Sequence, residues 1–373
     1  MTIKQKQVLE AYLKTGSFRG AAEFLGKNRT YVRTVIKHLE SSGDVPWRSK
    51  APTPNHIDVT NATVQYNAEG EVVQEWRRQY PSLGLLQDVV AGLCDEVKGK
   101  GKAPKKSSRK TKSDILYEID IYDAHVGLYA DEKETLDENY DCDVAATRMV
   151  DATQSLADRA DSPGKCVLVF GGDMLHIDNR TNQTPGSGHI LDADSRYHRI
   201  VNYVISACTE CVNIAATIAP ELEIVVLEGN HSSHSELWLG QVLKAYYSNC
   251  KNITVQTCPS PRKHLIWGNN LLVWAHGDRV PAVKWPMIIA AEFAKEWGIT
   301  KYRHLKCGHV HHKKAIAPVV IDEQSGLVVE FLEALCATDA WHSNSGYIGS
   351  QKGASAFEYH KFDGLITRHY KTV

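Results

Sequence analysis

The sequence of 373 residues lacks the long apolar runs of a membrane protein. No stretch approaches the roughly 18 unbroken apolar residues that a membrane helix needs. Its first residues, MTIKQKQVLEAYLK, also lack the apolar segment of a signal peptide, so we expect a cytoplasmic location. Nine cysteines are scattered, mostly within apolar runs, which indicates reduced thiols rather than a disulfide framework.

Two widespread catalytic motifs are also missing. The sequence has no G-x-x-x-x-G-K-[ST] phosphate-binding loop and no G-x-S-x-G nucleophile elbow, so it gives no support to a nucleoside triphosphatase or a serine hydrolase. Cys208 and Cys211 have the spacing of a metal or redox pair. They lie in an apolar helical stretch without a second pair, which favours core packing.

The net charge of the chain is small, but its charged residues are unevenly distributed. The net charge is −1, yet residues 1–112 contain 20 Lys and Arg against 11 Asp and Glu, a net of +9. The remaining 261 residues therefore carry −10. This asymmetry predicts a basic N-terminal part and an acidic body suited to holding metal ions.

Residues 1–45 predict three short helices. Apolar residues recur at helical spacing, Ser17 and Asn28 are placed to cap the second and third helices, and Gly26 separates these two. The pattern resembles a helix-turn-helix DNA-binding module, whose third helix would offer its outward face to a duplex. The candidate DNA contacts on that face are Arg29, Thr30, Arg33 and Lys37. The alternative is a helical bundle used for protein contact.

Two further segments connect this module to the body. Alternating apolar and polar residues around Ala68-Glu69-Gly70 predict a β-hairpin, which we place with a helical connector in residues 46–96. Residues 97–113 are basic and poor in apolar side chains, which predicts a flexible linker. Such a linker either holds phosphate backbones in a salt-sensitive way or serves as a solvated tether.

Beyond this linker, apolar strands alternate with helical stretches, which predicts an α/β catalytic domain over residues 114–373. Short polar motifs follow the apolar runs: Asp123-Ala-His125, Gly172-Asp173, Gly229-Asn230-His231, His276-Gly277-Asp278 and Gly308-His309-Val310-His311. Because α/β folds build their sites where strands end at one edge of a sheet, we expect these motifs to meet.

In this order the motifs resemble the pattern DxH, GD, GNH, H and GHxH of the calcineurin-like metallophosphoesterase superfamily. The resemblance implies a four-layer α/β/β/α sandwich, preceded here by the small all-α helix-turn-helix module and the β-hairpin. It also implies phosphoester hydrolysis with two divalent metal ions, bridged by Asp173. The other implied ligands are Asp123, His125 and His311 for one ion, and Asn230, His276 and His309 for the second.

The chemistry of these ligands suits that assignment. Carboxylate, amide and imidazole groups without thiolate favour Mn²⁺, Fe²⁺ or Zn²⁺. We expect Mn²⁺, with Fe²⁺, Zn²⁺, Mg²⁺ and Ni²⁺ as alternatives. Two ions about 3.5–4 Å apart can share a bridging hydroxide that attacks phosphorus near neutral pH. A ligand that bridges them must be a carboxylate, which agrees with Asp173.

His231 matches the histidine that, in the family, contacts the phosphate and protonates the leaving oxygen. Family members commonly follow this histidine with Asp or Glu, whereas this chain has Ser232. We therefore expect another carboxylate, such as Glu236 or Asp278, to orient His231.

A long polar loop follows Asp173 and predicts the substrate groove. Its candidate substrate-binding residues are His176, Arg180, His189 and Arg196, since arginines can hold phosphate oxygens in a fork. The GGDxxH spacing also resembles the nuclease branch of the superfamily, the Mre11/SbcD-like DNA repair exonucleases. The combination of domains resembles metallophosphoesterases encoded by tailed phages and prophages.

The leading hypothesis is a metal-dependent phosphodiesterase that cleaves nucleic acid, DNA in particular, in a bacterial host cytoplasm if the chain is phage-encoded. One alternative is a phosphatase or cyclic-nucleotide phosphodiesterase recruited by its N-terminal module. Another is a DNA-binding regulator with an inert metallophosphoesterase domain. We expect no membrane partner, and self-association into a homo-oligomer stays open.

Overall fold

The computed structural model describes residues 2–15, 17–41, 57–66, 72–81, 92, 94–95, 97–102, 111–310, 321–324 and 326–373. The chain divides into two compact units, Met1–Val89 and Val90–Val373. Among the described residues, no helix combines the length and the apolar character needed to cross a membrane.

The smaller unit begins with three helices, as the capping residues predict. They are α1 (Ile3–Thr15), α2 (Phe18–Leu25) and α3 (Arg29–Ser41). The Ser17 hydroxyl and the side-chain oxygen of Asn28 each accept a hydrogen bond from a backbone N–H of the following turn, at 3.0 and 2.6 Å. Gly26 ends α2 with a left-handed φ of 58°, a conformation that glycine adopts without steric cost.

Helix α3 has one buried and one exposed face. Val32, Ile36 and Leu39 are buried against α1 and α2, at the spacing of an amphipathic helix. The four candidate DNA contacts are all exposed: Arg29, Thr30, Arg33 and Lys37. DNA contact through this face stays a prediction.

A β-hairpin follows in the smaller unit. Strands β1 (Ile57–Tyr66) and β2 (Val72–Pro81) pair antiparallel, with Ile57 opposite Pro81. Both strands are longer than the alternating pattern indicates. The turn predicted at Ala68-Glu69-Gly70 lies outside the described residues.

The larger unit is mixed α/β and contains two sheets. Its strands are β3 (Lys112–Ile121), β4 (Pro163–Phe170), β5 (Leu222–Val226), β6 (Ile253–Gln256), β7 (Arg262–Trp267), β8 (Asn270–Ala275), β9 (Tyr302–Cys307), β10 (Ile321–Gln324), β11 (Leu327–Phe331), β12 (Gly353–His360) and β13 (Gly364–Thr372). The first sheet has the order β13-β12-β3-β4-β5-β6, in which β3 to β6 are parallel. The second has the order β10-β11-β9-β8-β7, in which β11, β9 and β8 are parallel. The predicted α/β class is thus confirmed.

Helices connect the parallel strands. The helices of this unit are α4 (Glu132–Thr135), α5 (Cys142–Ala157), α6 (Tyr197–Ala215), α7 (Ser233–Tyr246), α8 (Trp285–Glu292), α9 (Ala294–Ile299) and α10 (Ala340–Asn344). Helix α5 connects β3 to β4, α6 connects β4 to β5, and α7 connects β5 to β6. Parallel strands require such crossover connections. Cys208 and Cys211 of α6 are buried in the core, as predicted.

Alternate residues of the central strands enter different apolar cores. In β8, Leu271 and Val273 pack with Trp285 of α8, whereas Leu272 and Trp274 pack with residues of the first sheet. The opposite face of the first sheet packs with α5, α6 and α7. Strands covered on both faces need apolar side chains at every position, which explains their continuous hydrophobic runs.

The segment predicted as a flexible linker is hydrogen-bonded at its described ends. The N–H groups of Gly99 and Gly101 donate to the carbonyl oxygens of Ala245 and Tyr246, each at 2.9 Å. Strand β3 already begins at Lys112. Residues 103–110 lie outside the described part of the chain.

A buried charged group connects the two sheets. Nζ of Lys306 lies 3.2 Å from Oε1 of Glu118, and it donates a hydrogen bond of 2.7 Å to the hydroxyl of Tyr359. The same ammonium lies 3.4 Å from the ring centroid of Phe357. Burial raises the pKa of neighbouring Asp120 well above its usual range, and the carboxylate of Glu118 adds to that rise. Lys306 is therefore the cation that pairs with Glu118 between the two sheets, while burial disfavours the charged form of Asp120.

Replacing Lys306 tests this pairing. We expect Lys306→Ala to lower the free energy of unfolding by about 3–5 kcal/mol, because Glu118 would become an uncompensated buried charge. Urea unfolding measures the change. The double variant Lys306→Met with Glu118→Gln should lose much less, because it removes both charges and keeps the volume. Equal losses in the two variants would contradict the ion-pair assignment.

Candidate metal centre

The predicted metal ligands among the described residues lie in loops at the carboxyl ends of β3, β4, β5, β8 and β9. Main-chain hydrogen bonds hold these loops together. The N–H of His125 donates to the carbonyl oxygen of Asp173, and the N–H of Gly308 donates to that of His276, both at 2.9 Å. Motifs that are far apart in sequence therefore meet at one place.

Asp173 lies at the centre of this place. Its Oδ1 accepts a 2.7 Å hydrogen bond from the N–H of His231. Its buried Oδ2 accepts no hydrogen bond of regular geometry, yet the Nε2 atoms of His276 and His125 lie 3.1 and 3.9 Å away. One carboxylate oxygen is thus fixed by the main chain, and the other faces two imidazoles.

Two groups of ligand atoms share Asp173. Donor atoms of Asp123, His125 and Asp173 lie within 4.8 Å of one another, and so do those of Asp173, His276 and His309. These groups contain the described Asp and His members of the two sets that the family resemblance implies. The site therefore has an arrangement in which one carboxylate can serve two cations.

The remaining implied ligands are Asn230 and His311. Oδ1 of Asn230 lies 3.0 Å from Nε2 of His276, which places the amide oxygen beside the second group. His311 lies outside the described residues.

The ligand-bearing backbone is strained. Asp123, His125, Asp173 and His309 have left-handed φ angles of 48°, 41°, 51° and 65°. Each such conformation costs a non-glycine residue about 1–3 kcal/mol and persists only where the surroundings impose it. Strain of this kind concentrates at functional sites, so it is an observation for function that is independent of the side chains.

Buried Glu236 of α7 ties two of the loops together. Its Oε1 accepts from the N–H of Met174 at 2.7 Å, and its Oε2 accepts from the N–H of Gly229 at 2.6 Å. Burial raises the pKa of Glu236 well above its usual range, and nearby Asp173 adds to the rise. One side chain thereby fixes the spacing between the loops that carry Asp173 and Asn230.

His231 is oriented by the main chain. Its Nδ1 lies 3.1 Å from the carbonyl oxygen of His176, which can only accept, so Nδ1 carries the proton. The expectation that Glu236 or Asp278 orients this ring was wrong. Glu236 binds two backbone amides, and Asp278 pairs with Arg279 at 3.1 Å.

The charges of the centre depend on one another. Burial alone would raise the pKa of Asp173, but His276, His231 and His125 hold that pKa well below its usual range. Burial lowers the pKa of His276, whereas Asp173 and Asp123 more than offset this effect and raise it to about 10. A divalent cation at these groups therefore competes with protons, as metal binding to imidazole generally does.

His176, predicted to bind substrate, is instead buried inside the centre. Its Nδ1 lies 3.2 Å from Nδ1 of His125, and donor atoms of His125, His176 and His231 lie within 4.8 Å of one another. His176 lies three residues beyond Asp173 in the sequence. Its contact with His125 depends on how the two loops fold together.

The other predicted substrate-binding residues separate into two places. Arg180 and Arg196 line one open cleft of about 880 Å³. His189 is exposed and is not among the residues that line this cleft.

Sequence reasoning missed Asp178. Its buried carboxylate accepts from the N–H of His234 at 2.9 Å, from Nδ1 of the same residue at 2.7 Å, and from the N–H of Ser235 at 2.8 Å. It thus satisfies backbone donors in the first turn of α7 and fixes the His234 ring, whose side chain is 71% exposed. His234 and Ser235 lie 56 and 57 residues beyond Asp178 in the sequence, so no local spacing signals the contact.

No protein-family model and no curated protein matches this chain. Among solved structures, it is similar to a conserved uncharacterized protein, described as a predicted phosphoesterase, from Streptococcus pneumoniae TIGR4. That pair is 7% identical, covers 69% of this chain and 98% of the other, and has a TM-score of 0.29. A Vps29 double mutant from Entamoeba histolytica is 10% identical, with coverages of 69% and 99% and a TM-score of 0.26. At identities and TM-scores this low, the likeness does not identify the function of this chain.

Gly229 offers a test of the metal centre in which no ligand residue is itself substituted. A β-carbon at Gly229 would lie 1.9 Å from Oδ1 of Asp173. We expect Gly229→Ala to displace this carboxylate and to remove most of the stabilisation by Mn²⁺. In the wild type, that stabilisation should reach about 2.7 kcal/mol at 100 times the Kd. Thermal unfolding with and without Mn²⁺ measures it.

Gly240→Ala is the matched control. Gly240 lies in α7, and its β-carbon would meet no atom closer than 3.8 Å. This variant should keep the full Mn²⁺-dependent rise in Tm. If Gly229→Ala also keeps it, Asp173 does not belong to the metal centre.

Proposed function

We propose that this chain is a metal-dependent phosphodiesterase that cleaves nucleic acid, with DNA as its substrate. The observation that carries the proposal is the sharing of Asp173 between two groups of Asp and His donor atoms. A carboxylate that faces two groups of ligands can hold two ions close enough for a dinuclear hydrolytic centre. Asp123 and His125 would hold one ion, with His311 as a further predicted ligand. Asn230, His276 and His309 would hold the other.

The donor set fits divalent cations of the first transition series. It combines carboxylate, amide and imidazole groups, which suits Mn²⁺ and leaves Fe²⁺, Zn²⁺, Mg²⁺ and Ni²⁺ as alternatives. Bound ions would neutralise phosphate charge and lower the pKa of coordinated water. The buried, strained loops would contribute fixed positions, so the ligands need not rearrange when substrate binds.

His231 would act on the leaving group. Because its Nδ1–H donates to the carbonyl oxygen of His176, its Nε2 is the atom that takes up and releases a proton. In its protonated form, Nε2 would donate to the oxygen that departs from phosphorus. The main-chain carbonyl of His176 would thus orient the His231 ring, a role that an acidic neighbour commonly has in the family that the motifs resemble.

We also propose that the larger unit is the four-layer α/β/β/α sandwich implied by the family resemblance. Three apolar cores support this arrangement. One lies between α5–α7 and the first sheet, one between the two sheets, and one between the second sheet and α8.

The choice of DNA as substrate rests on the N-terminal unit. Its α3 exposes Arg29, Thr30, Arg33 and Lys37 on one face, as a helix that enters a major groove does. Residues 1–112, which combine this unit with the basic segment that follows it, also carry a net charge of +9, which favours a polyanionic partner.

Substitution at the shared carboxylate tests the chemistry. We expect wild-type protein with Mn²⁺ to hydrolyse bis-p-nitrophenyl phosphate and plasmid DNA faster than p-nitrophenyl phosphate. Asp173→Asn should lower kcat by about 10²–10³-fold, because a preorganised charged group is lost. Decisive preference for the monoester, with intact DNA, would instead indicate a phosphatase. An inactive wild type that still binds duplex would indicate a regulator.

Binding of a duplex tests the N-terminal face separately. The triple variant Arg29→Ala, Arg33→Ala, Lys37→Ala should bind duplex DNA more weakly, with a salt slope reduced by about 3, while hydrolysing the small diester normally. Arg19→Ala is the control, because Arg19 is 83% exposed on α2 and pairs with Glu23. An unchanged salt slope in the triple variant would exclude this face as the duplex contact.

A further inference from the structure

An open cleft lies between the loop after β4 and the start of α6. Its volume of about 880 Å³ falls within the range of about 300–1,000 Å³ that is typical of ligand sites. The cleft is lined by Arg180, Asn182 and the run Ala193–Arg199. We refer to it as the arginine cleft.

The charge of the arginine cleft is positive. Three arginines face one acidic residue, Asp194, whose carboxylate accepts a 3.3 Å hydrogen bond from the N–H of Cys142. The guanidinium of Arg199 lies 5.7 Å from the ring centroid of Tyr203. The side chains of Arg180 and Arg196 make no ion pair with another described residue. Their planar forks are therefore available to phosphate oxygens.

One wall of the cleft is close in sequence to the metal centre. Arg180 follows buried His176 by only four residues. On the other wall, the N–H of Asp194 donates at 2.9 Å to the carbonyl oxygen of Gly127, which is two residues beyond His125. Both walls are thus anchored to loops that carry imidazoles of the centre.

Hydrogen-bonded side chains make a second connection. The hydroxyl of Tyr197, in the cleft, lies 2.7 Å from Oγ of Ser235, which also bonds to the carboxylate of Asp178. Asp178 in turn holds Nδ1 of His234 at 2.7 Å. His234 lies three residues beyond His231. The side of the cleft nearest α7 is therefore fixed by contacts between buried groups.

These connections limit how far the arginines lie from the scissile phosphate. Four residues of fully extended chain span at most about 14 Å. A duplex strand advances about 3.4 Å along its axis per nucleotide. Arg180 therefore lies within a few nucleotides of the metal centre, which is within the reach of a strand that is bound there.

We infer that the arginine cleft binds the phosphodiester backbone on one side of the scissile bond, which makes a nucleic-acid strand the favoured ligand over a free nucleotide. The inference rests on the proposed function, because it takes the metal centre as the place of cleavage. It adds a binding subsite with named residues that contributes to affinity for polymers and leaves the chemical step unchanged.

The double variant Arg180→Ala, Arg196→Ala tests the subsite. With Mn²⁺ and a fluorescent single-stranded 20-nucleotide DNA as substrate, we expect KM to rise about tenfold or more. The kcat should change less than about twofold, since the cleft lies outside the centre. The salt slope should fall by about 1.4, because each phosphate contact on a single strand contributes about 0.7. The KM for bis-p-nitrophenyl phosphate should rise by a much smaller factor than the KM for the oligonucleotide.

Two control variants separate this effect from general charge and from misfolding. Lys295→Ala removes an exposed charge on α9 and should leave every parameter unchanged. Arg180→Lys with Arg196→Lys should restore the salt slope but only part of the affinity, since lysine lacks the fork. Thermal unfolding should give the same Tm for all variants.

The outcomes distinguish the inference from the proposed function. An unchanged KM for the oligonucleotide, or an equal loss on the small diester, would overturn the inference while the phosphodiesterase stands. If the wild type hydrolyses neither substrate, the proposed function fails. Fluorescence anisotropy with the same oligonucleotide in Ca²⁺ then tests whether the arginine cleft binds DNA. Binding weakened about tenfold in the double variant supports a polyanion site, and unchanged binding excludes it.

Discussion

Keeping the carboxylate of Asp173 ionised in a buried place is the constraint on which the centre depends. Burial opposes the charge, and the imidazoles of His276, His231 and His125 offset that effect. Each imidazole sits on a different loop, so the charge balance holds only while the loops keep their spacing. Glu236 maintains part of that spacing through bonds to two backbone amides. The ionised state of Asp173 and the spacing of the loops therefore depend on each other.

The rest of the larger unit provides a rigid support for these loops. Parallel strands covered on both faces end at the site, and their continuous apolar runs leave the polar residues only at the strand ends. Between the sheets, Lys306 and Glu118 add a charged contact that is fully removed from solvent. Such a pair contributes little net stability compared with apolar packing, but breaking it is costly, so it specifies how the two sheets face each other.

The predictable part of the site follows from strand ends. Polar motifs after apolar runs were enough to bring together Asp123, His125 and Asp173, because the carboxyl ends of parallel strands share an edge. His276 follows β8 of the second sheet, so it joins them only through the packing of the two sheets. The sequence did not predict the partner of His231, because a carbonyl oxygen has no residue type to recognise. It also missed Asp178, whose partners are 56 and 57 residues away and meet it only through loop folding. The linker was predicted from composition, which carries no information on the main-chain bonds of Gly99 and Gly101.

The left-handed backbone at four ligand candidates has a consequence for the life of the protein before it acquires metal. Aspartate and histidine tolerate this conformation better than β-branched residues do, so ligand type and backbone shape are chosen together. Each strained residue still costs about 1–3 kcal/mol, which metal coordination would offset. Chains made when metal is scarce would therefore open these loops more often and expose them to proteases. Metal binding would then protect the chain from proteolysis by stabilising these loops.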